Sequence, residues 1–321
     1  MSNLLSDTPV PVLFGEALVD AFASGDVPGG APFNVARHLG ALGFRPLFIT
    51  RIGQDARGEA LLRELGRHHL SIAGVQQDAA HGSGLVTVDE TSAGTHAFHI
   101  HSDAAWDHID ADQALAALRG LDGTASIFYY GTLAQRSRAS RAAAQALLAE
   151  AGNASNGWCD LNWRAGHVAP DQALSMLHAA HTAKLNEQEL QMVLSWCGLE
   201  TIAANHRPDA GAAAPAVARL MAQGRLQRLV VTYGSQGFAA FDRSGTCIAA
   251  GAGLPLARLT DTVGAGDAFT AISLAGALAG WPLQQTLERA NQFAAAICGE
   301  RGAAPASLDF YQPWRDAWSL N

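Results

Sequence analysis

The chain has 321 residues, 49% hydrophobic and 16% charged, enough apolar material for about two domains or one large α/β domain with an appendage. Its formal net charge of −8, from 21 basic and 29 acidic residues, argues against general nucleic-acid or anionic-membrane binding. Cys159, Cys197, Cys247 and Cys298 are scattered without metal-type spacing, and Met1–Asp7 lacks a cationic start and apolar core, so reduced thiols and a cytoplasmic location are expected.

Pro11–Ala17 reads as a first strand, followed by a Gly/Pro-rich stretch, Gly25–Pro32, and a helix over Phe33–Leu42. Pro46–Arg51 is a second strand, and Ala60–Leu70 has helical spacing, with Leu61, Leu62 and Leu65 on one side. Gly84–Asp89 and Thr95–His101 form a strand pair, joined by Ser/Gly turn chemistry at Glu90–Gly94. Helices are then expected at Ala111–Leu118, Ser137–Ala151, Asp171–Ala180, Glu187–Trp196 and Ala213–Gln223, alternating with strands at Ser126–Tyr130, Trp158–Leu161, Thr182–Leu185 and Leu229–Tyr233. A hairpin, Phe238–Asp242 with Thr246–Ala249, precedes two helices, Ala268–Ala279 and Leu283–Cys298. Strand–helix alternation from about residue 107 predicts an α/β fold with a mostly parallel sheet covered on both faces. The earlier strands break that rhythm, which suggests a small β lid. Residues 1–10, 36–84 and 107–321 are assigned to the core, and 11–35 and 85–106 to the lid. The longest apolar run, Ala268 to Trp281, is ~14 residues, short of the ~20 that span a membrane.

The most informative stretch is Leu259-Thr260-Asp261-Thr262-Val263-Gly264-Ala265-Gly266-Asp267-Ala268-Phe269. A Gly-Ala-Gly turn runs straight into a helix. Glycines let backbone N–H groups face a bound anion, and the helix start adds unpaired donors and the positive dipole end. Asp267 would repel a resting phosphate, so its economical role is removing a proton from a hydroxyl that attacks phosphorus. The ordinary alternative is an aspartate placed for the dipole. A P-loop is excluded, because the only lysine, Lys184, is followed by Leu185. A dinucleotide fingerprint fits poorly, because Phe269 stands where its third glycine belongs.

The segment Asp261–Phe269 resembles the C-terminal signature of the ribokinase-like (PfkB) sugar kinases. Further likenesses follow in family order: Gly29-Gly30-Ala31-Pro32-Phe33-Asn34-Val35-Ala36 to the glycine-pair motif, Gly53-Gln54-Asp55-Ala56-Arg57-Gly58 to the G-x-D-x-x-G turn, Asn186-Glu187-Gln188-Glu189 to N-x-x-E, and Thr232-Tyr233-Gly234-Ser235-Gln236-Gly237 to the T-x-G-x-x-G loop. The resemblance implies ATP as phosphate donor, Asp267 as catalytic base, and Gly264, Ala265 and Gly266 as an anion hole. It implies that Glu189, with Asn186, holds Mg²⁺ through water. Thr232, Gly234, Ser235 and Gly237 would border the nucleotide, with Asn291, Gly302 and Ala303 near the adenine. A monovalent cation such as K⁺ is a further candidate cofactor.

On the sugar side, Asp20 suits adjacent hydroxyls, Asn34 offers donor and acceptor, and Gly29 and Gly30 permit close approach. Glu16 is either a hydroxyl partner or a structural ion pair. Asp160-Leu161-Asn162-Trp163-Arg164 alternates at a strand end, so Asp160, Asn162 and Arg164 are expected on one side. It resembles the D-x-N-x-R stretch of fructokinases and 2-keto-3-deoxygluconate kinases. Arg164 would bind a hydroxyl, a carboxylate or a phosphate oxygen. His99 and His101 share a strand face with His96 nearby, which is read as a polar lid face rather than a metal site. Val263 stands where the family often has a second Thr. With one lysine in the chain, charge neutralisation is expected from Mg²⁺, arginine and backbone donors.

The expected activity is transfer of the γ-phosphate to a sugar hydroxymethyl group, with fructose as the first candidate. The alternatives are 2-keto-3-deoxygluconate or a nucleoside as acceptor, a non-catalytic sugar or nucleotide sensor, and a structural partner protein. The lid sheet would also suit a homodimer.

Overall fold

A computed structural model describes residues 8–23, 25–90, 96–151, 156–200, 210–256 and 258–320. They fall into two compact units: Met1–Ala125 with Ala134–Gly152 and Ser307–Asn321, and Ser126–Leu133 with Asn153–Ala306.

The first unit contains β1 (Pro9–Phe14), β2 (Leu18–Phe22), β3 (Gly25–Gly29), α1 (Ala31–Ala41), β4 (Leu47–Gly53), α2 (Ala56–Arg67), β5 (Val75–Asp78), β6 (Gly84–Glu90), β7 (His96–Ile100), α3 (Ala111–Arg119), α4 (Arg138–Ala151) and a C-terminal helix, Gln312–Trp318. β1, β4 and β5 pair in parallel. β2, β3, β6 and β7 form a separate sheet in the order β3-β2-β6-β7. The segment 11–35, expected in the lid, is therefore divided. β1 belongs with β4 because Val12, Leu13 and Phe14 are fully buried, a continuous apolar run suited to a strand covered on both faces. β2, β3 and β5 were not among the expected strands. Gly25–Gly29 looks irregular in sequence, but it is an edge strand, where Pro28 is tolerated because an outward N–H is dispensable. Leu18, Val86 and Val88 make a small apolar cluster under this sheet, with Phe22 and Ile100 against it.

The second unit contains β8 (Thr124–Gly131), β9 (Asn156–Asp160), α5 (Pro170–Ala179), β10 (Thr182–Asn186), α6 (Glu187–Trp196), α7 (Ala210–Ala222), β11 (Arg228–Thr232), β12 (Gly237–Asp242), β13 (Cys247–Ala252), α8 (Ala265–Leu278) and α9 (Leu283–Ile297). β8, β9, β10 and β11 are parallel neighbours, and β12 and β13 continue antiparallel. The alternation read from about residue 107 thus yields the expected mostly parallel α/β sheet. Leu185, Leu229, Val230 and Val231 are fully buried, as strands between two helical layers must be. α8 is apolar nearly all round and buried from Ala268 to Gly276. Among the described residues no helix is long and apolar enough to cross a membrane.

Candidate active site

Gly264 caps the N-terminus of α8 with φ +79°, a left-handed conformation that favours glycine. A Cβ at Gly264 would stand 2.5 Å from the Ala303 Cα, so the turn excludes any side chain. Asp261 braces it from below: Oδ1 accepts from the Val263 N–H (3.0 Å) and Oδ2 from the Gly302 N–H (3.1 Å). The Ala265 N–H donates to the Thr262 carbonyl at 3.3 Å, so part of one expected anion-hole donor is already committed. Gly266 and Asp267 occupy first-turn positions, where N–H groups lack an intrahelical acceptor. Gly266 is exposed and Asp267 half-buried.

Beneath this turn lies a buried polar network that the sequence did not announce. Lys184 Nζ, on β10, donates to both carboxylate oxygens of Asp160 at 3.0 Å. Thr270 Oγ1, one turn beyond Asp267 on α8, donates to Asp160 Oδ2 at 2.7 Å. A Cβ at Gly266 would lie 3.4 Å from Lys184 Nζ, so the ammonium sits directly under the Gly-Ala-Gly start. Burial works against that charge, but the carboxylates of Asp160, Glu189 and Asp267 outweigh it and raise the lysine's pKa above its ordinary value. The single lysine, for which no role was expected, thus lies buried under the turn and paired with Asp160. The available signal was an isolated lysine inside an apolar strand, Ala183-Lys184-Leu185.

Asn186 and Glu189 close a capping box on α6. Asn186 Oδ1 accepts from the Glu189 N–H (2.9 Å), and Glu189 Oε2 from the Asn186 N–H (2.8 Å). Glu189 Oε1 accepts from the Trp163 N–H at 2.9 Å. The glutamate is 4% exposed; burial raises its pKa, against the opposing pull of Lys184.

The expected alternation of Asp160, Asn162 and Arg164 does not occur. β9 ends at Asp160, and Asn162 takes φ +37°, which breaks the two-residue period. Asp160 is buried against Lys184, and Arg164 is exposed in the following loop.

A cavity of about 500 Å³ opens beside the α8 start, lined by Thr232, Gly234, Ser235, Gly237, Gly266 and Asn291 among others. Residues expected at the nucleotide from three separate segments thus share one pocket. Its apolar wall includes Leu254, Leu256, Leu259 and Phe269, and Asn291 Nδ2 donates to the Ala252 carbonyl at 2.9 Å. Gly237 needs its glycine: φ is +100°, and a Cβ would meet the Gly251 carbonyl at 2.0 Å. Gly302 and Ala303, expected in the same pocket, instead stand behind the Gly264 turn.

Within the first unit, Asp20, Gly29, Gly30 and Asn34 come together. The Asp20 carboxylate lies over Gly29, where a Cβ would stand 2.4 Å from Oδ2. Gly30, φ +107°, caps α1, and its carbonyl accepts from the Asn34 N–H at 2.8 Å. Asn34 Oδ1 accepts from Arg37, which also bonds the Pro28 carbonyl and Glu64. Asp55 of the G-x-D-x-x-G turn caps α2, accepting from Gly58 N (2.7 Å), Ser83 N (2.8 Å) and Ser83 Oγ (2.8 Å). His101 Nε2 bonds Thr87 Oγ1 at 2.8 Å and its ring meets His99 edge-on, which keeps both within the polar face of the small sheet. The His96 side chain lies outside the described residues.

A glycine-led helix start thus stands beside a cavity on a mostly parallel α/β sheet. The family model of the pfkB family carbohydrate kinases matches residues 10–309, and the chain belongs to that family, whose members phosphorylate an alcohol group. It is similar to the probable fructokinase-6, chloroplastic, of Arabidopsis thaliana, at 29% identity over 92% of this chain and 76% of the relative. It is also 29% identical to the fructokinase of Salmonella typhimurium, over 89% of this chain and 91% of that one. The crystal structure of fructokinase with bound ATP from Xylella fastidiosa has the same fold, with a TM-score of 0.79 and 21% identity over 97% of this chain and 99% of that chain.

Proposed function

We propose that the protein is an ATP-dependent sugar kinase acting on fructose. The observation that carries this is the Gly264-Ala265-Gly266-Asp267 helix start opening onto the pocket that holds Thr232, Gly234, Ser235, Gly237 and Asn291. In this reading the pocket takes the nucleotide and the N–H groups at Gly266 and Asp267 face the transferred phosphoryl group. Asp267 accepts the proton of the sugar hydroxymethyl as its oxygen bonds to the γ-phosphorus, and the bond to the bridging oxygen breaks to release ADP. Lys184 serves as fixed positive charge under the turn. In the first unit Asp20, Gly29, Gly30 and Asn34 are the candidates for the sugar hydroxyls; in the second, Arg164 is a candidate for a hydroxyl, a carboxylate or a phosphate oxygen.

Mg²⁺ fits only at one remove. Both Glu189 oxygens accept backbone N–H groups, and Glu189 with Asn186 would hold the ion through water, as its reluctance to dehydrate allows. When bound, it neutralises triphosphate charge. K⁺ is retained as a proposed second cation, and ADP release compared in K⁺ and in a large organic cation tests it.

Fructose rests on the names of the full-length relatives, and a coupled ADP-release assay tests it with fructose, 2-keto-3-deoxygluconate, ribose and adenosine. The highest kcat/KM is expected with fructose. Preference for 2-keto-3-deoxygluconate would reassign the acceptor, with Arg164 facing its carboxylate. Tight ATP and sugar binding without product would make the chain a sensor. Pairing of two copies through the small sheet is proposed as well, since its edge strand β7 carries Phe98, 52% exposed; a monomer mass in solution would refute it.

A further inference from the structure

We propose that His81, Asp103 and His108 form a site for a divalent transition metal of the Zn²⁺ type, at the root of the β6–β7 hairpin. The three ligand atoms lie within 4.8 Å of one another. His108 Nε2 is 2.8 Å from Asp103 Oδ1, and His81 Nε2 is 3.9 Å from the same oxygen. The two imidazoles stack at 3.6 Å between ring centroids, 14° from parallel, so both present their Nε2 edges toward one carboxylate.

The atoms behind the ligands argue for a site rather than a chance triad. His81 Nδ1 is bonded to Asp78 Oδ2 at 3.0 Å, which leaves Nε2 as the lone-pair nitrogen facing Asp103. Asp78 is itself fixed. Its side chain is 2% exposed and paired with Arg51 Nε at 2.7 Å, and its Oδ1 accepts from the N–H groups of Ala80 (2.7 Å) and His81 (3.0 Å). Arg51 Nη1 also donates to the His108 carbonyl at 2.9 Å, so one guanidinium steadies the supports of both histidines. A buried carboxylate holding the far nitrogen of a histidine is the arrangement that sets the tautomer and orientation of metal-bound imidazoles.

The donor chemistry selects the ion. Two imidazole nitrogens and one carboxylate oxygen suit Zn²⁺ and its neighbours, whereas Mg²⁺ and Ca²⁺ need more oxygen ligands. Ligand side-chain exposures of 28%, 34% and 74% leave a path from solvent and room for a water as fourth ligand. Metal–nitrogen bonds of about 2.0–2.1 Å require the rings to fan apart from their stacked geometry and the exposed Asp103 to close in. His81 precedes β6, and Asp103 and His108 follow β7. One ion would therefore tie together the two ends of that hairpin and stabilise the small sheet.

The test uses the untagged full chain with Zn²⁺ or Co²⁺ alone. One Co²⁺ per chain with visible d–d absorption is expected, together with a melting temperature that rises with Zn²⁺. Asp103→Asn is the cleanest variant, because the residue has φ +60° and asparagine tolerates that region. It should weaken Zn²⁺ binding at least tenfold and abolish the thermal shift; His81→Gln should do the same. Asp78→Asn should weaken binding by about 10–100-fold, as loss of such a supporting contact does. No stoichiometric binding by the native chain, or binding unchanged in both Asp103→Asn and His81→Gln, would overturn the site.

Discussion

Replacing Lys184 by Met removes the ammonium that pairs with Asp160 in the buried network under α8. The partners are 7% and 2% exposed, so this is not a surface pair worth a fraction of a kcal/mol. Without the ammonium, Asp160 keeps the Thr270 hydroxyl as a donor and Glu189 loses the charge that opposes its upward pKa shift. Breaking a buried pair from one side typically costs about 3–5 kcal/mol. The loss should be larger at pH 8 than at pH 5.5, because burial already raises the Glu189 pKa and, with Lys184 no longer opposing it, that carboxylate can take up a proton at the lower pH. Removing both charges of the pair, in Lys184→Met with Asp160→Asn, should recover much of the loss, because the unpaired Asp160 carboxylate is then gone and only Glu189 is left without the ammonium. The assay is urea unfolding of the native chain, the two single variants and the double variant at both pH values. A loss below about 1 kcal/mol for Lys184→Met, or a double variant no more stable than the single, would refute the buried-pair account.

Asp267→Asn should leave the circular dichroism spectrum unchanged and lower kcat by roughly 10²–10⁴-fold, the span of general-base catalysis; near-native turnover would remove the residue from the chemistry. Gly264→Ala forces a side chain into φ +79° and against the Ala303 Cα. It should cost at least about 1–3 kcal/mol of strain and depress kcat with it, measured by thermal unfolding and ADP release. Asp55 provides a pH test. Burial works to raise its pKa, but the Gly58 and Ser83 N–H groups, the Ser83 hydroxyl and the Arg57 charge outweigh it and hold it below 3.8. A depressed carboxylate contributes stability that is fully present above its unfolded value and is lost as pH falls through its folded one. The native chain should therefore lose more stability than Asp55→Asn between pH 5 and pH 2.5, and parallel urea midpoints in the two proteins would contradict this.

The linear chain determined a good deal by itself. Strand–helix alternation is a local property of residue spacing, and it sufficed for the parallel α/β sheet and for helices such as Glu187–Trp196, whose Asn186 and Glu189 announce their own cap. The Gly264-Ala265-Gly266-Asp267 helix start was legible for the same reason: glycine and a first-turn aspartate act over a few consecutive residues. β2, β3 and β5 escaped notice because short strands with Gly, Pro or Gln are held by their neighbours rather than by intrinsic preference. Long-range placement lay beyond any spacing rule. Asp160 looked like part of an alternating polar face, yet the turn to φ +37° at Asn162 ends that face and commits the carboxylate to Lys184, 24 residues away. Likewise His81 and His108 are unremarkable in sequence, and only the packing of the β6–β7 hairpin ends brings their rings together. Hydrogen bonds and ion pairs between distant segments depend on three-dimensional proximity, which only the tertiary structure decides.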